Sequence, residues 1–288
     1  MTSLPHVPRT VGVIGGGRMG AGIAQVFATA GSEVVVVEGS AAAADAARSR
    51  IADSLDRAAA RDKLPVPPSD VLSRLHFVTD AVELPLESDL VIEAVPENPE
   101  LKVSVLTAAE RAVSEHTVLA SNTSSLSVTE LSAALQRPER FLGMHFFNPV
   151  PGSRLVEVVL GPATAVTSQV LGYVRALGKT DIVVRDSPGF ATSRLGVLLG
   201  LEAIRMLQEG VADATAIDTA MELGYGHPMG PLRSTDLVGL DVRLAIADHL
   251  HRTLGDRFAP PSLLRDKVAA GELGRKTGRG FHSWTSGV

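Results

Sequence analysis

The sequence places a histidine and a glutamate in two neighbouring apolar runs, His145 within Phe141–Phe147 and Glu157 within Leu155–Leu160. A histidine can remove a proton near neutral pH, and a carboxylate bonded to its second ring nitrogen fixes the tautomer and stabilises the imidazolium. A lone histidine between apolar residues is more often a satisfied core residue. Glu157 within an apolar run is less easily dismissed as a structural residue, because a buried carboxylate almost always has a partner. The spacing does not show whether the two residues meet.

Two polar residues that follow predicted strands are candidates for holding the oxygens of a substrate. Ser124 lies in the loop after the run that ends at Ala120, and Asn148 comes directly after the run that contains His145. In open α/β sheets, ligands bind at the carboxyl ends of the strands. Taken alone, each would be interpreted as an ordinary loop or turn residue.

Three glycines form the pattern G-x-G-x-x-G between a predicted strand and a predicted helix. Gly15 permits a tight turn, Gly17 lets the backbone approach a pyrophosphate, and Gly20 lets the helix pack close to the strand. The amide groups at the start of the helix, around Arg18 and Met19, would face the phosphates. This order of elements predicts a dinucleotide site.

Glu38 follows at the end of the next predicted strand, where an acid would bind the hydroxyls of the adenosine ribose. A carboxylate there would repel a 2′-phosphate, so we predict NAD rather than NADP as the cofactor. The alternative is a structural glycine turn followed by an exposed glutamate. The succession of strand, turn, helix and acid favours the dinucleotide interpretation.

Runs rich in valine and isoleucine alternate with helix-like stretches through the first two thirds of the chain, which predicts a doubly wound α/β sheet. The predicted strands are Val11–Ile14, Glu33–Glu38, Asp89–Val95, Thr117–Ala120, Phe141–Phe147, Leu155–Leu160 and Asp181–Arg185. The predicted helices are Met19–Ala30, Ala41–Arg61, Glu100–Ser114, Val128–Leu135 and Ser168–Leu177.

Beyond Asp186 the pattern contains helices and no convincing strand. The predicted helices are Phe190–Glu209, Asp213–Leu223, Pro231–Leu254 and Pro261–Ala270. We therefore predict two domains, a Rossmann-like NAD-binding domain over residues 1–186 and an all-helical C-terminal domain over residues 187–288.

The composition of the 288-residue chain excludes or disfavours several kinds of site and partner. The chain contains no cysteine, which excludes disulfides, thiolate nucleophiles and cysteine-based zinc sites. The histidines show no metal-ligand spacing, so we predict no metal. A net charge of −5 disfavours nucleic acid as a partner. With no signal-peptide pattern and no long apolar run, we expect a cytoplasmic protein that does not enter a membrane.

The ordered motifs resemble those of the 3-hydroxyacyl-CoA dehydrogenase family over essentially the whole chain. The resemblance rests on Ala120–Leu126, His145–Pro151, Leu155–Val158, Val91–Val95, Asp186–Phe190, Met229–Pro231 and Gly274–Phe281. It implies an enzyme that uses NAD to oxidise an (S)-3-hydroxyacyl-CoA to the 3-ketoacyl-CoA, and the reverse. We expect a short-chain substrate such as 3-hydroxybutyryl-CoA, and a homodimer formed through the helical domain.

The resemblance also implies roles for individual residues. His145 matches the general base, Glu157 its orienting partner, and Ser124 and Asn148 the residues that hold the substrate oxygens. The positions that match the cofactor side are Glu93 and Lys102. Those that match a helical arm over the CoA moiety are Ser54, Arg61 and Lys63, for which a solvated helix face is an equally open interpretation.

The sequence departs from the family at Ser193, where relatives usually have asparagine. If that position contacts the acyl thioester, the shorter serine would leave room for a bulkier or more polar acyl chain. Two alternatives to the main prediction stay open at this point. One is a related dehydrogenase of free hydroxy acids or sugar acids, and the other is a non-catalytic relative that retains NAD binding.

Overall fold

A computed structural model describes residues 6–284 of the chain, which divides into two compact units, Met1–Ser187 and Pro188–Val288. The first unit holds an eight-stranded sheet with helices, and the second is built from helices. The predicted fold class, a Rossmann-like α/β sheet followed by a helical region, is confirmed. None of the helices within residues 6–284 is long and apolar enough to cross a membrane.

The sheet of the first unit has the strand order β3-β2-β1-β4-β5-β6-β7-β8. Its strands are β1 Thr10–Ile14, β2 Glu33–Val37, β3 Leu75–Val78, β4 Leu90–Glu93, β5 Val118–Ser121, β6 Phe141–Phe146, β7 Leu155–Leu160 and β8 Thr180–Arg185. All neighbouring pairs are parallel except β6 and β7, which are antiparallel. The carboxyl ends of β1, β4, β5 and β6 therefore lie along one edge of the sheet.

Among the described residues of this unit, six α-helices accompany the sheet, because the strands are apolar on both faces and need cover on each. They are α1 Arg18–Thr29, α2 Ala41–Ala59, α3 Pro68–Leu72, α4 Pro99–Ala112, α5 Val128–Ser132 and α6 Thr167–Ala176. Phe27 of α1 and Ile51 of α2 are fully buried in the core, together with strand residues such as Ile92. Local signals fix the helix starts: the Asn98 side chain accepts the Leu101 amide hydrogen at 2.7 Å at the start of α4.

The second unit has its own core, formed by α7 Thr192–Gln208, α8 Ala214–Tyr225, α9 Pro231–Val238, α10 Leu240–Leu254 and α11 Ser262–Ala269. The prediction of one helix over Pro231–Leu254 is wrong. Gly239 has a φ angle of +103°, which separates α9 from α10. The sequence does not show this break, because the apolar spacing continues on both sides of the glycine.

Strand β3 and helix α3 are absent from the sequence-based prediction. β3 is a four-residue edge strand in which His76 is exposed and Phe77 is half-buried. An edge strand of this kind has no continuous apolar run, so its pattern resembles a loop. Several predicted elements also extend a few residues too far. Glu38, for example, lies just beyond β2, and α5 ends at Ser132 rather than at Leu135.

Candidate active site

The glycine turn after β1 has the geometry that the pattern predicts. Gly15 has a φ angle of +93°, and its amide donates to the carbonyl oxygen of Val37 at 2.9 Å. A side chain at Gly20 would overlap the carbonyl oxygen of Gly15, so α1 can pack against the turn only without one. A side chain at Gly17 would meet no protein atom within 4 Å. The turn thus leaves open the space where a pyrophosphate would lie.

The first turn of α1 carries Arg18 and Met19 and contains no acidic residue. Its amino end is not capped by a side chain. Uncapped amide groups together with the positive end of the helix dipole form an anion-binding site. The donors present at this turn therefore fit the phosphates of a dinucleotide.

Glu38 holds the glycine turn from the side of β2. Its carboxylate accepts the amide hydrogen of Gly16 at 2.5 Å and that of Gly39 at 3.3 Å. Arg50 donates to the carbonyl oxygen of Gly16 at 2.7 Å. A cavity of about 500 Å³ lies here, lined by Gly15, Glu38 and residues of the β4–α4 segment. Its position and its carboxylate fit the adenosine end of NAD.

A buried ion pair lies at the carboxyl end of β4. Lys102, 1% exposed, has its Nζ 2.6 Å from Oε1 of the fully buried Glu93. Glu93 also accepts the amide hydrogen of Val95 at 2.7 Å and the hydroxyl hydrogen of Ser121 at 2.6 Å. Because both charges are paired and hydrogen-bonded, the usual penalty for burying them is offset.

Glu97 connects this ion pair to the loop that carries Ser124. Its Oε2 lies 3.2 Å from Lys102 Nζ, and its Oε1 accepts hydrogen bonds from Thr123 Oγ1 at 2.6 Å and from the amides of Ser124 and Ser125 at 3.0 Å. Burial raises the pKa of the Glu97 carboxyl, but Lys102 and these hydrogen bonds outweigh it, so the pKa lies below its ordinary value. Sequence reasoning gave Glu97 no role, since its partners are far away along the chain.

His145 and Glu157 face each other across the antiparallel pair β6 and β7. His145 Nδ1 lies 2.7 Å from Glu157 Oε2, and the two residues are 7% and 0% exposed. The buried carboxylate favours the tautomer with its proton on Nδ1, which places the basic lone pair on Nε2. The Phe147 ring packs against the imidazole with 4.4 Å between the ring centroids. This arrangement is suited to moving a proton at Nε2.

Ser124 and Asn148 follow the carboxyl ends of the parallel neighbours β5 and β6. Their loops are connected, because the Asn122 side chain accepts the amide hydrogen of Phe146 at 2.9 Å. Ser124 is half-buried and Asn148 is exposed, so both side chains can be reached from solvent. The structure thus gathers Ser124, Asn148 and the His145–Glu157 pair at one edge of the sheet.

The predicted CoA contacts Ser54, Arg61 and Lys63 line a separate cavity of about 630 Å³. Arg57 and Lys179, which sequence reasoning missed, add two further cations to its wall. A smaller cavity of about 170 Å³ is also lined by Ser54 and Arg57, and on another side by Asn148. The two cavities thus share lining residues, and the smaller one extends to the loop that carries Asn148.

Lys179 fixes the loop between β6 and β7. Its Nζ donates to the carbonyl oxygens of Val150 at 2.7 Å and Ser153 at 2.5 Å, and burial lowers its pKa. Ser193, the remaining predicted contact, lies half-buried in the first turn of α7 in the second unit. Within residues 6–284 no group of three or more His, Asp or Glu side chains is placed to hold a metal.

Comparisons with known proteins cover nearly the whole chain. Residues 10–187 match the NAD binding domain of 3-hydroxyacyl-CoA dehydrogenase, and residues 189–284 match its C-terminal domain. A probable 3-hydroxybutyryl-CoA dehydrogenase of Deinococcus radiodurans is 44% identical over 95% of this chain and 99% of its own length. A 3-hydroxybutyryl-CoA dehydrogenase of Mycobacterium tuberculosis is 43% identical over 95% of this chain and 98% of its own length.

Solved structures agree with the sequence matches. The (S)-3-hydroxybutyryl-CoA dehydrogenase PaaH1 from Ralstonia eutropha is 43% identical, superimposes with a TM-score of 0.91, and covers 97% of this chain and 100% of its own. The two family matches cover one unit each, and the relatives run through both units, so the likeness extends beyond the nucleotide-binding turn. The chain therefore belongs to the 3-hydroxyacyl-CoA dehydrogenase family, whose members are oxidoreductases that use NAD.

Proposed function

We propose that the chain interconverts short-chain (S)-3-hydroxyacyl-CoA and 3-ketoacyl-CoA, with 3-hydroxybutyryl-CoA as a substrate and His145 as the general base. The observation that carries the proposal is the buried pair of His145 and Glu157, with 2.7 Å between Nδ1 and Oε2. Relatives named 3-hydroxybutyryl-CoA dehydrogenase, more than 40% identical to this chain, support the acyl chain length.

His145 moves the proton of the substrate hydroxyl. In the oxidation direction Nε2 accepts this proton, and the buried Glu157 carboxylate stabilises the imidazolium that forms. In the reduction direction the imidazolium returns the proton to the ketone oxygen. NAD, when bound, supplies the acceptor for the hydride that leaves the substrate carbon. A histidine can serve both directions because its two protonation states are both accessible near neutral pH.

Ser124 and Asn148 orient the substrate oxygens towards the histidine in this proposal. The Ser124 hydroxyl lies in a loop fixed by Glu97, and Asn148 offers an amide that can donate and accept. Orientation of this kind contributes to the rate because the reacting atoms no longer have to be brought together from solution. Glu97 is then a positioning residue for the oxygen-binding loop.

The residues that would hold NAD are the glycine turn at Gly15, Gly17 and Gly20, the start of α1 with Arg18 and Met19, and the acid Glu38. Glu93 and Lys102 are both buried, so on the cofactor side they would act through the residues that they hold rather than by contact with NAD. Lys102 pairs with Glu93 and also with Glu97, and these contacts tie the carboxyl end of β4 to the residues that follow it. An edge held by such contacts would limit the reorganisation needed when the cofactor binds.

The CoA moiety would occupy the larger cavity. Arg57, Arg61, Lys63 and Lys179 are cations on its wall, and they suit the phosphate groups of CoA. The same wall carries Ser54 and apolar residues such as Leu64, which suit hydrogen bonding and stacking with an adenine. We also propose a homodimer formed through the second unit, supported by two strongly exposed side chains of α8, Leu223 and Tyr225.

The test is NADH oxidation with acetoacetyl-CoA, measured beside NADPH and beside free acetoacetate. We expect turnover with NADH and the thioester. His145→Ala should lower kcat by about 10²- to 10⁴-fold, the usual contribution of a general acid–base group. Glu157→Gln should lower kcat in the same range, because an amide that donates to Nδ1 selects the wrong tautomer.

The structure offers a matched control. His76 and Glu33 form a second histidine–glutamate pair, 3.2 Å apart, but both side chains are 57% exposed at the sheet edge. His76→Ala should leave turnover unchanged. Turnover of free acetoacetate but not of the thioester would contradict the proposed substrate class, and full activity in His145→Ala would contradict the proposed base.

A further inference from the structure

Lys179 is a buried cation of the first unit that the proposed proton transfer does not use. It lies between α6 and β8 and is 8% exposed. Burial lowers the pKa of its ammonium group, and no carboxylate within residues 6–284 raises it again. A buried charge is costly unless other polar groups compensate for it. The groups bonded to Lys179 Nζ therefore indicate what this lysine does.

The groups that compensate for the charge belong to the loop between β6 and β7. Lys179 Nζ donates to the carbonyl oxygen of Val150 at 2.7 Å and to that of Ser153 at 2.5 Å. Hydrogen bonds from a charged donor are about twice as strong as those between neutral groups. Lys179 thus ties two points of this loop to the start of β8.

The same loop also packs against α1. The Val150 side chain is 2% exposed, and a Cβ atom on Gly22 would lie only 2.8 Å from Val150 Cβ. Helix α1 can therefore approach Val150 this closely only because position 22 has no side chain. Without Lys179, the loop would keep its contact with α1 but would lose the donor that holds two of its carbonyl oxygens.

This loop forms part of the wall of both cavities proposed for the acyl-CoA. Pro149 and Pro151 border both of them. Gly152 and Lys179 border the larger cavity, and Val150 borders the smaller one. The position of the loop therefore sets the shape of the space that the CoA thioester would enter.

The proton-transfer pair depends on different contacts. His145 and Glu157 lie opposite each other in the ladder of β6 and β7, and Glu157 is paired on its other side with Ile182 of β8. These ladders hold the two strands whether or not the connecting loop shifts. A change in the loop should therefore alter the binding of the thioester and leave the proton transfer intact.

We propose that Lys179 is a positioning residue that sets the affinity for the CoA part of the substrate by holding the carbonyl groups of Val150 and Ser153. It acts through the loop and does not touch the reacting atoms. The inference rests on the proposed function, which places the CoA moiety in the larger cavity. It adds that an internal hydrogen-bonded lysine determines how well a full CoA thioester is distinguished from a short thioester.

The first experiment measures NADH oxidation with two substrates that share the reacting carbons, acetoacetyl-CoA and acetoacetyl-N-acetylcysteamine. The second substrate lacks the nucleotide and most of the pantetheine chain. Lys179→Met should raise KM for acetoacetyl-CoA by about 10-fold, as expected for the loss of a hydrogen bond from a charged group. It should leave kcat, the KM for NADH and the kcat/KM for the short thioester at their wild-type values, because these do not depend on the loop.

Arg175→Met is the matched control. Arg175 lies in the last turn of α6 and pairs with Asp181 of β8 at 2.7 Å, so this variant also removes a cation that links these elements. Its side chain is 53% exposed, and among the described residues it lines neither cavity. Arg175→Met should therefore keep the wild-type KM for acetoacetyl-CoA.

Gly22→Ala tests the same loop without changing Lys179. The added methyl group would press on Val150 from α1, so the KM for acetoacetyl-CoA should rise here as well. This variant decides the question if Lys179→Met does not fold. A wild-type KM in Gly22→Ala would then show that the position of the loop does not control binding of the thioester.

The second experiment measures the binding of free CoA by isothermal titration calorimetry, without turnover. The Kd of Lys179→Met should be about 10-fold higher than that of the wild type, and Arg175→Met should bind like the wild type. This readout separates the inference from the proposed function. A CoA affinity that depends on Lys179 supports the positioning role even if the wild type does not turn over acetoacetyl-CoA.

Two results would overturn the inference while the proposed function stands. The first is turnover of acetoacetyl-CoA with the same KM and the same CoA affinity in Lys179→Met and wild type. The second is an equal fall in kcat/KM for both thioesters, because the loss would then lie in the fold or at the reacting end of the substrate. A wild-type protein that neither binds CoA nor turns over its thioester would overturn both proposals.

Discussion

At the scale of single residues, three carboxylates hold the site together. They make more contacts within the protein than the residues proposed to touch the substrate. Glu93, Glu97 and Glu157 are each held by hydrogen bonds or ion pairs to residues that no local pattern connects to them. Glu97 is the most connected of the three. One of its oxygens accepts from consecutive residues of the Ser124 loop, and the other contacts Lys102.

This position leads to a pH-dependent prediction for Glu97→Gln. The amide loses the ion pair and can accept with only one oxygen, so the free energy of unfolding should fall by about 1–2 kcal/mol at neutral pH, after allowance for partial exposure. Because the folded pKa of Glu97 lies below its ordinary value of 4.5, its contribution is present above that pH and is lost as the pH falls through the folded pKa.

Urea unfolding at neutral pH and at about pH 4 checks this prediction. The gap in free energy between wild type and Glu97→Gln should narrow at the lower pH. Glu115→Gln serves as the control, since the Glu115 side chain is 81% exposed and its carboxylate lies 3.9 Å from His116 Nε2. A gap that stays constant with pH would show that the ionised carboxylate is not the stabilising form.

How far the sequence predicts the site depends on how local each contact is. The glycine turn and Glu38 could be predicted, because strand, turn, helix and acid follow one another directly. His145 and Glu157 could be singled out by type, but their contact depends on the antiparallel register of β6 and β7. Glu97 and Lys179 could not be predicted, since their partners lie far away along the chain.

At the scale of elements, two glycines of the turn between β1 and α1 are needed for different reasons. Gly20 is required for helix packing, whereas Gly17 is required to leave space for the cofactor. Gly20→Ala would push a methyl group into the Gly15 carbonyl, and overpacking of this kind costs about 1–3 kcal/mol. Gly17→Ala meets open space, and Gly17 already has a φ angle of −59° that alanine adopts without strain. The free energy of unfolding of Gly17→Ala should therefore stay within about 0.5 kcal/mol of the wild-type value.

NAD titration separates the two variants further. Gly17→Ala should weaken NAD binding although the protein is as stable as wild type, because the methyl group occupies the space predicted for the pyrophosphate. In Gly20→Ala, by contrast, the main effect should be a lower free energy of unfolding. Equal affinity for NAD in Gly17→Ala and wild type would contradict the placement of the pyrophosphate at this turn.

The elements also show why part of the fold could not be predicted. Central strands such as β4 and β5 are buried at every position, so their apolar runs stand out. The edge strand β3 has no such run. The break between α9 and α10 depends on the positive φ angle of one glycine, and a glycine within an apolar helical pattern does not by itself show that the helix ends.

At the scale of the whole molecule, the proposed homodimer gives a direct prediction. The wild-type protein should have twice the chain mass of 30.1 kDa in light scattering after size-exclusion chromatography. Leu223 and Tyr225 are 82% and 79% exposed on α8, and replacing both by glutamate should give monomers if they are buried between copies. Wild-type monomers at micromolar concentration would contradict the dimer.

The pairing of β6 with β7 has a consequence for how members of this family can diverge. His145 and Glu157 are directly opposite in the ladder, so the register of two central strands sets the distance between them. Residues 149–152, in the loop that joins the strands, instead border the cavities proposed for the acyl-CoA. Changes in this loop can alter which thioester is accepted while the proton-transfer pair stays in place. Substrate range and chemistry can therefore evolve independently.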